Sequence, residues 1–248
     1  MRNPPKIYLF YFISALICVF VVLLTIQQKS KAAKPVSISE HEYSIIEKLT
    51  YKQPVTIVAY GDSITWGYER DTRGKVNQVK NPYPKVLETQ LRKKYGYNKI
   101  KVINNGHPGW TSIQALKNVD EEVLTIHPDL VILMFGINDA RGHMKYSPNA
   151  LPVPVEQYKE NNRQILQKLK ENGIEVVVIS PTAITNNKNN GKKTQVYYST
   201  AIKSLAQEEK IQYVDGDDIS INGNLYDGIH FKAEKYRLIA EKLMRDIF

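Results

Sequence analysis

Residues 55–63 read VTIVAYGDS, and the reading of this stretch decides the fold. Positions 55–60 carry no charge, and Val55, Thr56, Ile57 and Val58 are all β-branched. Apolar side chains fall on odd and even positions alike, so a strand here has no solvated face. That is the pattern of a strand covered on both sides, as in a parallel sheet. The run then breaks at Gly61-Asp62-Ser63, a turn signal. Working outward, four further runs share the character: 100–103 (IKVI), 130–135 (LVILMF), 176–179 (VVVI) and 211–214 (IQYV). Helical periodicity fills the intervals at 83–95, 113–124, 155–172, 194–210 and 233–247, with Gly173 as a C-terminal stop. Strand and helix alternate throughout. This predicts a doubly wound α/β domain over 52–248, three layers deep, with a five-stranded parallel sheet between helices.

Upstream of that domain the composition changes. Residues 7–26 read IYLFYFISALICVFVVLLTI, with no charged side chain. A helix of this length spans about 30 Å, the thickness of a bilayer core. It predicts a transmembrane signal-anchor behind a short tail, 1–6, and ahead of a polar linker and lead-in helix, 27–51. The stretch exceeds the apolar part of a cleaved signal peptide. The small residues around Ala32 leave cleavage, and hence secretion, as the alternative. The expected location is a membrane-anchored, extracytoplasmic domain. Five basic and no acidic residues lie in the first 34 positions, so over half of the +9 net charge flanks this segment. What remains is scattered and mild, which argues against a nucleic-acid partner. Cys18, the single cysteine, lies inside the apolar stretch. An intrachain disulfide and a cysteine zinc site are thereby excluded.

Chemistry is expected outside the carboxyl ends of the strands. Four motifs fall there or just before the last helix: Gly61-Asp62-Ser63, Asn104-Asn105-Gly106-His107-Pro108-Gly109, Gly136-Ile137-Asn138-Asp139 and Asp227-Gly228-Ile229-His230. A serine at a strand-to-helix turn is exposed to a ligand. A glycine lets a backbone N–H approach closely. An asparagine amide donates N–H without charge. A histidine is the side chain suited to general base work near neutral pH, and a nearby acid orients it. Each motif alone also fits a plain turn or helix cap.

As an ordered set the four motifs resemble the SGNH hydrolases, also called GDSL esterases, over 55–248. The resemblance implies a flavodoxin-like five-stranded parallel sheet. It implies a Ser63 nucleophile, a His230 general base and Asp227 as its partner. It also implies an oxyanion hole from the N–H groups of Ser63 and Gly109 and the side chain of Asn138. Gly106 competes for the second position; Gly109 is preferred for its distance from the strand and its Asn. No metal or cofactor is implied, and His41, His107, His127 and His143 show no metal-ligand spacing.

The ester itself is read from three segments expected around the site, 68–82, 140–154 and 182–193. They are polar and basic, with Arg70, Arg73, Lys75, Lys80, Arg141, Lys145, Lys188, Lys192 and Lys193. Trp66, Tyr68, Trp110 and Tyr146 are candidates for stacking on sugar rings. The expected activity is removal of small acyl groups such as acetyl from a cell-envelope carbohydrate. Alternatives are a lysophospholipase or thioesterase acting on lipid-like esters, an O-acetyltransferase, and a non-catalytic carbohydrate-binding module. His107 and His143 are placed near the rim of the site or in structural roles.

Overall fold

In the computed structural model, which describes residues 43–142, 151–185, 191–220 and 225–248, strands and helices alternate as expected. The first half comprises α1 (Ile45–Thr50), β1 (Val55–Gly61), α2 (Ser63–Trp66), β2 (Tyr68–Arg70), β3 (Val76–Gln78), α3 (Tyr83–Tyr95) and β4 (Ile100–Gly106). The second comprises α4 (Ser112–Glu122), β5 (Leu130–Met134), α5 (Ile137–Arg141), α6 (Val155–Glu171), β6 (Glu175–Ile179), α7 (Gly191–Glu208), β7 (Gln212–Val214), α8 (Asp217–Ser220) and α9 (Arg237–Asp246). The apolar segment 7–26 lies outside the described residues. Among those described, no helix is long and apolar enough to cross a membrane.

One five-stranded sheet runs in the order β4-β1-β5-β6-β7, and every pairing in it is parallel. The continuous apolar character of 55–60 has the expected cause. Val55, Ile57 and Ala59 pack on one side with Leu87, Leu91 and Ile239. Val58 and Tyr60 pack on the other with Val119, Ile165 and Ile202. Strand order places β1 between β4 and β5, where the winding direction reverses. The crevice at its carboxyl end is the ligand position of such sheets.

The amino-terminal side of the sheet is held by α1. A capping box between Ser44 and Glu47 starts this helix. Ile45 N donates to Glu175 Oε1 at 2.6 Å, at the start of β6. Lys48 Nζ donates to Asp129 Oδ1 at 2.8 Å, just ahead of β5. The other Asp129 oxygen accepts from Thr56 N of β1 at 2.7 Å.

Two features depart from the sequence reading. β4 runs three residues beyond 103, through polar Asn104 and Asn105, because it stays paired with β1 as far as Gly61–Gly106. Within 68–82, read as a loop, β2 and β3 form an antiparallel hairpin. Asp71 Oδ1 accepts from Arg73 N and Lys75 N, both at 2.9 Å, and shapes its turn.

Candidate active site

β1 delivers the chain to Asp62, which caps α2; its Oδ1 accepts from Ile64 N at 2.8 Å. Ser63 is thus the first residue of a one-turn helix, at the crevice. Gly106, at the matching end of β4, backs this turn. A Cβ on Gly106 would sit 2.1 Å from Trp66 N. That contact identifies Gly106 as a packing residue and separates it from Gly109, which lines the cleft.

His230 and Asp227 arrive together on one loop. Asp227 Oδ1 accepts from Ile229 N at 2.9 Å and His230 N at 2.8 Å. Its Oδ2 meets His230 Nδ1 at 2.7 Å. A bridge between Leu225 and Phe231 closes the loop, and Thr185 N donates to Gly228 O at 2.8 Å. With Asp227 accepting from Nδ1–H, Nε2 is the free base, and it lies 3.0 Å from Ser63 Oγ. Hydroxyl, imidazole and carboxylate are therefore in line, the arrangement that makes a serine oxygen nucleophilic. Contact with His230 and the two backbone N–H groups keeps Asp227 below the usual carboxylate range, although burial opposes them as the largest influence. The carboxylate is therefore charged under ordinary conditions.

Tyr68 of β2 stacks on the His230 ring, with centroids 4.1 Å apart and planes 23° from parallel. Tyr236 Oη donates to Tyr68 O at 2.7 Å and ties that strand to the start of α9. This contact escaped the sequence reading, since nothing in 68–82 signals a strand opposite a histidine 162 positions later.

The remaining donors come from two loops. His107-Pro108-Gly109-Trp110 closes with Trp110 N donating to His107 O at 3.1 Å. Gly109 has φ +83°, the value that the third residue of a type II turn requires. Asn138, in the first turn of α5, gives one Nδ2 hydrogen to Trp110 O at 2.8 Å. A carboxamide carries two such hydrogens, so one remains for a ligand. Fully buried Asp139 locks the two loops together, accepting from Ser112 N at 3.0 Å and from Ser112 Oγ at 2.6 Å. Asn161 Nδ2 supports Ser112 Oγ at 3.0 Å. Burial raises Asp139 to about 6 and Asp62 to about 7.

A cleft of about 340 Å³ brings together Ser63, Gly109, Asn138, Asp227 and His230, the five residues expected from the sequence. Tyr68, Arg70 and Arg141 also line it. Of the aromatic residues expected near sugars, Trp66 and Trp110 do not line it. Trp110 stacks on His107 at 3.8 Å instead. His107 Nε2 lies 3.0 Å from Asn105 Oδ1 and 3.4 Å from Glu122, a structural role behind β4. His143, Lys145, Tyr146 and Lys188 lie outside the described residues.

Sheet order, strand-end serine and imidazole–carboxylate pair define a serine-hydrolase arrangement on a flavodoxin-like frame. Residues 59–238 match the GDSL-like lipase/acylhydrolase family, and the chain belongs to it as a carboxylic-ester hydrolase. Among curated relatives, the isoamyl acetate-hydrolyzing esterase of Saccharomyces cerevisiae is 28% identical over 211 residues, 76% of this chain and 84% of the yeast protein. The acetylxylan esterase of Geobacillus stearothermophilus is 25% identical over 199 residues, 75% of this chain and 91% of that one. A crystal structure of an acetyl xylan esterase superposes with a TM-score of 0.65 at 20% identity, covering 78% of this chain and all of the other. At that identity the last likeness speaks for the fold alone.

Proposed function

We propose that Ser63 attacks the carbonyl of a short-chain acyl ester, with acetyl the favoured group, borne on a carbohydrate alcohol. The observation that carries this is the aligned set Ser63 Oγ, His230 Nε2 and Asp227 Oδ2, with separations of 3.0 and 2.7 Å at the floor of the cleft. His230 takes the Ser63 proton as the Oγ–carbon bond forms. The oxyanion that develops is received by the N–H groups of Ser63 and Gly109 and by Asn138 Nδ2. The tetrahedral intermediate collapses as His230 protonates the departing alcohol, leaving an acyl group on Ser63. Water, deprotonated by His230, then releases the carboxylic acid.

A short acyl group fits the open, polar cleft, whose walls carry two arginines and no long apolar channel among the described residues. The named substrates of the two curated relatives are acetate esters, which supports the same preference. We place the catalytic domain outside the cytoplasm, tethered by 7–26, on the character of that segment. The decisive test is labelling of the full-length chain with a fluorophosphonate. Wild type should label and Ser63→Ala should not, and acetyl esters should turn over faster than octanoyl ones. Equal labelling of both proteins, or no labelling of either, overturns the nucleophile. Faster cleavage of octanoyl esters overturns the acyl preference.

A further inference from the structure

Among the described residues that line it, the cleft has an excess of positive groups that ester hydrolysis itself does not require. Asp227 is the carboxylate on its wall, and both its oxygens are engaged by the His230 ring and backbone. Against it stand Arg70 and Arg141, from different elements. Arg70 Nη2 donates to Tyr68 Oη at 2.8 Å and Nη1 to Gly74 O at 3.2 Å, which fixes this exposed guanidinium on the β2–β3 hairpin beside the His230 stack. Arg141, the last residue of α5, is three positions beyond Asn138. Its Nε is buried and has no hydrogen-bond partner among the described residues.

A guanidinium N–H taken from water without an acceptor is costly, and structural arginines are normally satisfied. Burial pulls the Arg141 guanidinium below its ordinary range, while the charges of Asp227 and Asp62 oppose that pull. Neither carboxylate bonds to it, because Asp62 caps α2 and Asp227 holds His230. An arginine built only to fasten α5 would be expected to have its buried donor satisfied. Nε itself is closed to a ligand, but Arg141 is only half-buried and lines the cleft, and its guanidinium makes no hydrogen bond to a described residue, so the outer nitrogens suit a planar anionic oxygen group.

Resting on the esterase reading of Ser63, we propose that Arg141, assisted by Arg70, selects esters whose alcohol part carries an anionic oxygen group, a carboxylate or a phosphate, close to the scissile bond. The physiological ester is then an acylated acidic sugar. Arg141 holds the acidic group and sets the sugar so that its acyl carbonyl faces Ser63 and Asn138.

The test uses the full-length enzyme and three acetyl esters: acetylated methyl glucoside, acetylated glucuronic acid and acetylated glucose 6-phosphate. The expected wild-type kcat/KM is about tenfold higher for one of the charged esters than for the neutral one, since a hydrogen bond to a charged group contributes about that factor. The gain should lie mainly in KM and shrink as ionic strength rises. Which charged ester gains identifies carboxylate or phosphate as the group recognised. In Arg141→Gln the charged-to-neutral ratio should fall towards one, whatever the absolute rates, and Arg141→Lys should restore part of it. If Arg141→Gln fails to fold, Arg70→Gln, altered at an exposed position, should lower the same ratio. A wild-type ratio of one or less, or a ratio unchanged in both arginine variants, overturns the proposal. If Ser63→Ala abolishes turnover of the neutral ester in that case, the esterase reading stands alone. No wild-type turnover of any of the three esters overturns both.

Discussion

His230 is constrained on three sides: Nδ1 by Asp227, Nε2 by Ser63 and one ring face by Tyr68. Each constraint has its own cost when removed. Asp227→Asn should lower kcat by roughly 10⁴-fold, because the amide favours the wrong tautomer of the ring. Steady-state rates on an acetyl ester, with circular dichroism to confirm folding, check this. Asn138→Ala should cost about 100–1,000-fold in kcat with little change in KM, as expected for a donor used mainly in the transition state. An equal rise in KM with kcat unchanged would remove Asn138 from that role. At this scale much was legible in the sequence. Asp227 and His230 lie three residues apart, so one short loop must bring them together. Asp139 was visible within its motif, but its grip on Ser112 depends on two loops meeting, and no local pattern encodes that.

Among the elements, those built on an apolar run or a long helical period were legible, and the short polar ones around the site were not. Strands of five to seven residues show a continuous apolar run and helices of ten or more residues show their period, so β1, β5, α3 and α6 fall near their expected positions. The helices α2 and α5 have four and five residues, too few for a periodic signal, although they carry Ser63 and Asn138. The β2–β3 hairpin has three residues on each strand and mostly polar side chains, so it read as loop. Yet it presents Tyr68 to His230. Tyr68→Ala should lower kcat/KM about tenfold by freeing the ring, whereas Tyr68→Phe, which keeps the stack, should stay within about threefold of wild type. Equal losses in the two variants would assign the effect to the hydroxyl and its bond to Arg70.

Across the whole molecule, the buried acids set a pH dependence of stability. Asp62 is raised to about 7 and Asp139 to about 6 in the folded state, both chiefly by burial, from an ordinary value of 3.8. The native state therefore binds more protons than the unfolded chain between about pH 4 and pH 7, and these acids make stability fall as pH rises through that window. Asp227, held below its ordinary value, acts in the opposite sense and loses its contribution only as pH falls through its folded value. Asp227 and the other lowered acids, Glu160, Glu208 and Asp246, are ionised in both states between about pH 5 and pH 7 and add no slope there, so the raised acids make the thermal midpoint rise by a few degrees from pH 7 to about pH 5. Asp62→Asn should flatten that slope; a midpoint that falls over the same range would contradict the account.

The attachment of α1 at the start of β5 and β6 has a practical consequence. β1 crosses the sheet in seven residues, about 20 Å at strand rise, from the rim where Tyr43 joins the domain to the rim where Ser63 sits. A surface or fusion partner coupled at Tyr43 is therefore fastened to the back of the enzyme. Beads derivatised through this position should present the cleft outward and retain access to bulky polymeric esters, whereas coupling through Lys75 on the hairpin turn should obstruct it.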